Sequence, residues 1–283
     1  QFVRIKTFDF YQQLKPREIP EPAGKPVTII DLDENSLSEI GQWPWPRDVI
    51  ARMVQNLMQM GAAQVAFDVA FPEPDRMNPT GIADALIGLD EVSKENLRKL
   101  PSNDQIFADV IKKSRVVLGQ AGFWEVRDAD KTGAPPIKKS VALKGAKPQK
   151  LIPEFQSLVR NVPVIETPAA GHGIFTVVHE PDGIVRRVPT IFNYQGDIYP
   201  ALSVEMLRVA FNRPTILVST KSHGVESIGI ASRRQFPPNG LIMPTDRNGR
   251  VWPYFSKSDK AKYVSARDVL NGTVSPDMIN GKL

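Results

Sequence analysis

The chain contains no cysteine. That excludes a disulfide framework, a thiolate metal site and a cysteine nucleophile. Histidine is almost as scarce, with only His172, His179 and His223. These cannot form a multi-histidine metal centre without carboxylates from elsewhere. No window reaches the roughly 18–20 consecutive apolar residues that a membrane helix needs. No signal peptide is evident and residue 1 is Gln, so a fragment or a processed chain is expected. The G-x-S-x-G elbow, the P-loop and the H-E-x-x-H zinc motif are all missing.

What is present reads as globular. The 283 residues are 41% apolar and 24% charged, enough to bury a substantial core. The formal net charge is +5, but the basic residues are dispersed, so no nucleic-acid partner is expected. Lys138, Lys139, Lys144, Lys147 and Lys150 do crowd one segment. No aromatic residues interleave them, which favours a solvated loop over residues 125–153.

The pattern predicts an α/β fold: a mixed, largely parallel central sheet flanked by helices, with an added β-hairpin region. Residues 1–26 form a lead-in, and 27–33 read as a buried strand. Residues 47–60 carry an apolar stripe at helical spacing, with Pro46 before it and Gly61 after it. Residues 63–71 form a second apolar strand, so the stretch reads as a parallel βαβ unit. Residues 76–101 resemble an insertion. A helix over 104–112 and a strand over 116–123 extend the unit. Further on, 173–194 suggest a hairpin about Glu180-Pro181-Asp182-Gly183, and 200–211 a helix. Residues 217–236 look irregular apart from a strand near 227–230. A strand is expected over 250–255, and a short helix behind Ser265. One domain covers 1–283.

Chemistry concentrates at the carboxyl end of the two first strands. Asp31 and Asp33 are two apart, so they project to one side. Asp68 sits near the end of the next strand, and ligands of open α/β sheets bind at that edge. These three carboxylates are weak candidates for Mg²⁺ or Ca²⁺. The alternative is an ion network, because Arg47 in a first helical turn opposes the helix dipole and needs an acidic partner. Asp31, Asp33 and Asp68 are the expected partners. Trp43-Pro44-Trp45-Pro46 forms a stiff aromatic wall or lid. The candidate ligand-binding residues are Asp31, Asp33, Ser36, Trp43, Trp45, Arg47 and Asp68. No catalytic residue and no cofactor is assigned. His172 and His179 should point to opposite faces, and one of Arg186 and Arg187 should point inward to a carboxylate. Asp31-Leu32-Asp33 also resembles the first motif of haloacid-dehalogenase-type phosphatases, which keeps open a metal-dependent hydrolase using Asp31 and Asp33.

Four segments carry a broader likeness. They are Ile30-Asp31-Leu32-Asp33 with Trp43-Pro44-Trp45-Pro46-Arg47; Phe67-Asp68-Val69-Ala70-Phe71 with Glu73-Pro74-Asp75; Gly171-His172-Gly173 with the Pro181–Pro189 and Tyr199–Ser203 segments; and Asp268-Val269-Leu270-Asn271-Gly272 with Gly281-Lys282. In this order they resemble the type-2 CHASE domain, a sensory domain of cyclases and histidine kinases. The resemblance implies an extracytoplasmic sensory domain, in the bacterial periplasm or outside the cell. It implies tethering to the inner membrane through flanking helices outside this chain. The implied output is an adenylate or guanylate cyclase, or otherwise a kinase. The fragment itself is then not an enzyme. Its partner would be an unknown small molecule or a periplasmic protein, and a homodimer is expected. A structural dimerisation module is a further alternative. In the family the chain runs on into a buried strand and membrane segments.

Overall fold

The computed structural model describes residues 2–21, 24–127, 140–148, 150–212, 215–230 and 240–283. The chain opens with α1 (Phe2–Leu14), β1 (Ile29–Asp31), α2 (Glu34–Ile40), α3 (Arg47–Gln59) and β2 (Val65–Phe67). The 76–101 segment is a pair of short helices, α4 (Pro79–Ala85) and α5 (Glu91–Arg98). Then come α6 (Asn103–Lys113), β3 (Val116–Phe123), β4 (Val141–Lys144), β5 (Glu154–Phe155), β6 (Ser157–Val159), α7 (Pro163–Glu166) and β7 (Gly171–Ile174). The rest comprises β8 (Val188–Pro189), β9 (Ile191–Tyr194), β10 (Asp197–Pro200), α8 (Leu202–Ala210), β11 (Ile216–Lys221), β12 (Gly224–Ile230), β13 (Leu241–Pro244), β14 (Arg250–Val251), β15 (Tyr263–Ser265) and α9 (Ala266–Asn271).

The strands form several small mixed sheets, with helices packed against them. β2 runs parallel to β3, and β3 parallel to β7. β6 pairs antiparallel with the far end of β3. A second sheet has the order β13-β12-β11-β4, and a third β10-β9-β5.

α3 forms where the sequence places its signals. Ile50, Met53, Val54 and Leu57 are buried at helical spacing. Pro46 occupies the N-cap position, and Gly61 follows the helix at φ 90°. These side chains meet Phe67, Phe71, Phe107, Ile111, Leu118 and Val269 in the first core. Phe67, Phe71 and Phe107 contact each other edge-on, with centroids 5.3–5.7 Å apart. A second core collects Phe155, Ile174, Phe192, Val204, Val218 and Ile228. β3 turns one face to each side. Val116 and Leu118 enter the first core, while Val117 packs with Leu202 and Val209 of α8.

Several expectations are corrected. The first strand covers only three residues and is half exposed. It pairs with β15, so β1 and β2 are not neighbours in one ladder. Residues 173–194 are not one hairpin: β7 joins β3, β8 joins β14, and the hairpin is β9–β10. The Glu180–Gly183 turn does form, through Gly183 N–H on Glu180 C=O at 2.9 Å. The 125–153 segment contains β4, a strand and not only a loop, because Val141–Lys144 pairs parallel with β11. Lys138 and Lys139 lie outside the described residues. The strand expected near 227–230 is β12, and β11 pairs with it where irregular chain was expected, while the 250–255 strand shrinks to two residues. For β1, β7 and β14 the local pattern was right about extended backbone and silent about its partner, whereas β4 and β11 were not expected as strands.

Candidate functional site

Asp33 ends the β1 turn as the N-cap of α2. Its Oδ1 accepts from Ser36 N–H at 2.9 Å, Ser36 Oγ at 2.6 Å and Ser265 Oγ at 2.9 Å. Hydrogen bonding from Ser36 holds this carboxyl below its ordinary pKa. Ser36 Oγ in turn accepts from Arg267 N–H at 3.0 Å. Ser265 precedes α9 but leaves that helix uncapped by its side chain, since its hydroxyl faces Asp33. Asp33, Ser36 and Ser265 therefore stitch α2 to α9. Asp31 does not join them and is exposed at the end of β1.

Arg47 is buried at 6% exposure, and its acidic partners are not those expected. Its Nε lies 3.8 Å from Asp104 Oδ1, and its backbone N–H donates to Asp75 Oδ2 at 2.7 Å. Its Nη1 reaches Trp45 C=O at 3.3 Å, and the guanidinium lies 4.5 Å from the Phe71 ring centre. Burial pulls its pKa down, against the pull of Asp75 and Asp104. Asp104 Oδ2 accepts from Asp75 N–H at 3.0 Å and from Asn78 Nδ2 at 2.7 Å. This answers the dipole problem: the cation in the first turn of α3 faces a carboxylate in the first turn of α6. Sequence reading missed Asp75 and Asp104. Asp75 stood in a quoted motif, but nothing in the spacing marked Asp104.

The two indoles part company. Trp45 is 1% exposed, and its Nε1 donates to Gly41 C=O at 2.7 Å. It is a core residue. Trp43 packs against it at 5.9 Å between ring centres and lines a pocket. That pocket, about 570 Å³, lies between β1 and β2 and is mostly apolar. Leu32, Trp43, Asp68 and Val69 belong to its carboxyl-terminal mouth, whereas Val27, Ala62 and Leu283 mark the opposite end. Asp68 is exposed there, and partial desolvation raises its pKa. Gln64 also lines the pocket; its Nε2 donates to Met206 C=O at 3.1 Å, and its Oε1 has no partner among the described residues.

The seven expected site residues thus divide. Trp43 and Asp68 share the pocket. Asp31 lies exposed at the end of β1, outside the pocket lining. Asp33 and Ser36 form a structural knot, and Trp45 and Arg47 belong to the buried framework. Among the described residues no group of three carboxylates or histidines could hold a metal ion. His172 Nε2 lies 2.9 Å from Glu166 C=O, and burial lowers its pKa. Arg186 and Arg187 both meet carboxylates, against the expected division of one in and one out. Arg186 bridges Asp9 and Asp182, whereas Arg187 pairs with Glu180.

A family model described as the CHASE2 domain matches residues 1–283, the whole chain. The chain belongs to the CHASE2 domain family. CHASE2 is an extracellular sensory domain family of cyclases and kinases, and the domain is not itself catalytic. Comparison with curated proteins and with solved structures gives no match. Among the described residues no helix is long and apolar enough to cross a membrane.

Proposed function

We propose that this CHASE2 domain is the ligand-sensing input of a membrane receptor, and that its sensing surface is the mouth between β1 and β2. The observation that carries this reading is the pairing of exposed Asp68 with the half-buried Trp43 on an apolar pocket, with exposed Asp31 outside its lining at the end of β1. Polar groups on an apolar recess suit a small ligand, or the side chain of a protein partner. Ser36, Asp33 and Arg47 support the mouth from behind. In this reading the receptor belongs to a bacterial inner membrane, with this domain in the periplasm, and works as a homodimer. Its cytoplasmic output is a nucleotide cyclase, most naturally an adenylate or guanylate cyclase, or a kinase. The hydrolase alternative is less well supported, because Asp33 Oδ1 already accepts three hydrogen bonds.

The test is Asp31→Ala, Trp43→Ala and Asp68→Asn, singly, in the full receptor. Output is measured in membranes, and folding of each variant by circular dichroism. Altered basal or stimulated output in folded variants supports the mouth. Unchanged output in all three rejects it.

A further inference from the structure

α1 is held to the body by polar contacts and one ring pair. Among the described residues it contributes no side chain to any of the three hydrophobic clusters. Arg186, 1% exposed, grips it at mid-length: Nε and Nη2 donate to the two oxygens of Asp9 at 2.5 and 2.8 Å. The same guanidinium donates from Nη1 and Nη2 to Asp182, at 2.8 Å each. The Phe8 ring lies 4.7 Å from that of Trp252. Toward the end of α1, Gln12 Oε1 accepts from Phe255 N–H at 2.9 Å, and Tyr254 Oη donates to Lys15 C=O at 2.8 Å. A helix of 13 residues is marginal in water by itself, so these anchors decide whether α1 persists.

Both principal anchors back onto the pocket. Val185 and Val188 line it, whereas Arg186 and Arg187 between them do not and pair with carboxylates instead. Val188 also pairs with Val251 in the β8–β14 ladder, and Trp252 is the next residue. One short stretch therefore shows valines to the pocket and, beside them, the groups that hold α1. The pocket itself suits one kind of occupant. Its volume of about 570 Å³ is that of a small-molecule site, and its walls are mostly apolar. Gln64 Oε1, buried and without a partner among the described residues, offers an acceptor to one O–H or N–H.

We infer that residues 185–188 couple the pocket to α1: an apolar small molecule bearing one hydrogen-bond donor packs on Val185 and Val188 and tightens the hold of Arg186 and Trp252 on α1. The sign follows from population shift. The valine wall and the α1 anchors are built on the same stretch, so a ligand that needs the wall favours the form in which α1 is held. Releasing α1 takes Asp9 from Arg186, which leaves a buried cation with one carboxylate fewer and loosens the stretch that carries it. The signalling role of this coupling rests on the sensory reading above. The coupling itself rests on the contacts of residues 185–188.

The test uses N-phenyl-1-naphthylamine, a neutral apolar fluorescent probe with one N–H. Hydrogen exchange of the α1 amides is followed by mass spectrometry with and without saturating probe. The coupling predicts α1 exchange slowed about fivefold or more. Because linkage is reciprocal, Arg186→Gln should weaken probe binding by a like factor and abolish the slowing. Ala66→Phe enlarges a side chain of the pocket wall on β2 and should slow α1 exchange without probe. The probe decides where it binds, and Ala66→Phe decides where it does not. In the deciding case, unchanged or faster α1 exchange would overturn the coupling, as would equal probe affinity in the wild type and Arg186→Gln. Receptor output is a separate readout. The coupling can hold where the three mouth variants leave output unchanged, and fail where they alter it, so the two ideas fall separately.

Discussion

Arg47 sits where the helix dipole disfavours it, so its burial depends on carboxylates from elsewhere, Asp75 in a loop and Asp104 on α6. Replacing it strands Asp104, whose Oδ1 has no hydrogen-bond donor among the described residues. Arg47→Ala should therefore destabilise the fold by about 3–5 kcal/mol. Asp104→Asn in the same chain should recover part of that loss, which a denaturant double-mutant cycle would measure. Asp182 gives a pH prediction. Hydrogen bonding from Arg186 holds its carboxyl down to about 2, from an ordinary 3.8, and Asp9 is lowered by the same arginine. Because these pKa values fall on folding, their stabilisation is complete above about pH 4 and is lost as pH falls toward 2. Asp9 lies on α1, so acid should release that helix. Trp252 reports it, since the Phe8 ring lies 4.7 Å from its own. A fluorescence change between pH 4 and 2 is expected, and Arg186→Gln should abolish it. Asp68 has the opposite sign. Its pKa is raised, so its charge opposes folding at neutral pH. Asp68→Asn should raise the Tm at pH 7, with the gain disappearing below about pH 4, as paired thermal melts would show. A stability gain combined with altered receptor output would mark a group kept for sensing.

At the scale of elements, the close approach of β7 and α8 is what brings the two sides of the β2–β3–β7 sheet together. A Cβ on Gly173 would stand 2.5 Å from Leu202 Cα, and backbone cannot give way as a flexible side chain can. Gly173→Ala should cost about 1–3 kcal/mol by forcing α8 away, read from urea midpoints. How far the elements were legible depended on locality. α3, α6, α8 and α9 follow from short-range periodicity and end signals, and β3 from its apolar run. β11 escaped notice, and the 173–194 hairpin was misassigned. Alternation identifies a strand but not its neighbour. The site shows the same division. Trp43 and Asp68, which share the pocket, were nameable from an aromatic loop and a strand end. Trp45 and Arg47 looked equally functional until packing showed them buried.

For the whole molecule, two hydrophobic cores share β3 and α8 through a smaller cluster. Such sharing argues for one cooperative unit, and we expect fluorescence and circular dichroism to report one coincident urea transition. Two separated transitions would divide the chain at the cores. The sequence by itself determined the α/β class, the helices α3, α6, α8 and α9, the absence of thiol chemistry and the family likeness carried by its motifs. All of these rest on neighbouring residues or on composition. Only the tertiary structure decided that Arg47 answers to Asp75 and Asp104, that Asp33 serves Ser36 and Ser265, and that β1 pairs with β15. Asp33 and Ser265 lie 232 residues apart. Contacts of that range are selected by the closure of the whole chain around its cores, and no local pattern encodes which pairs will meet.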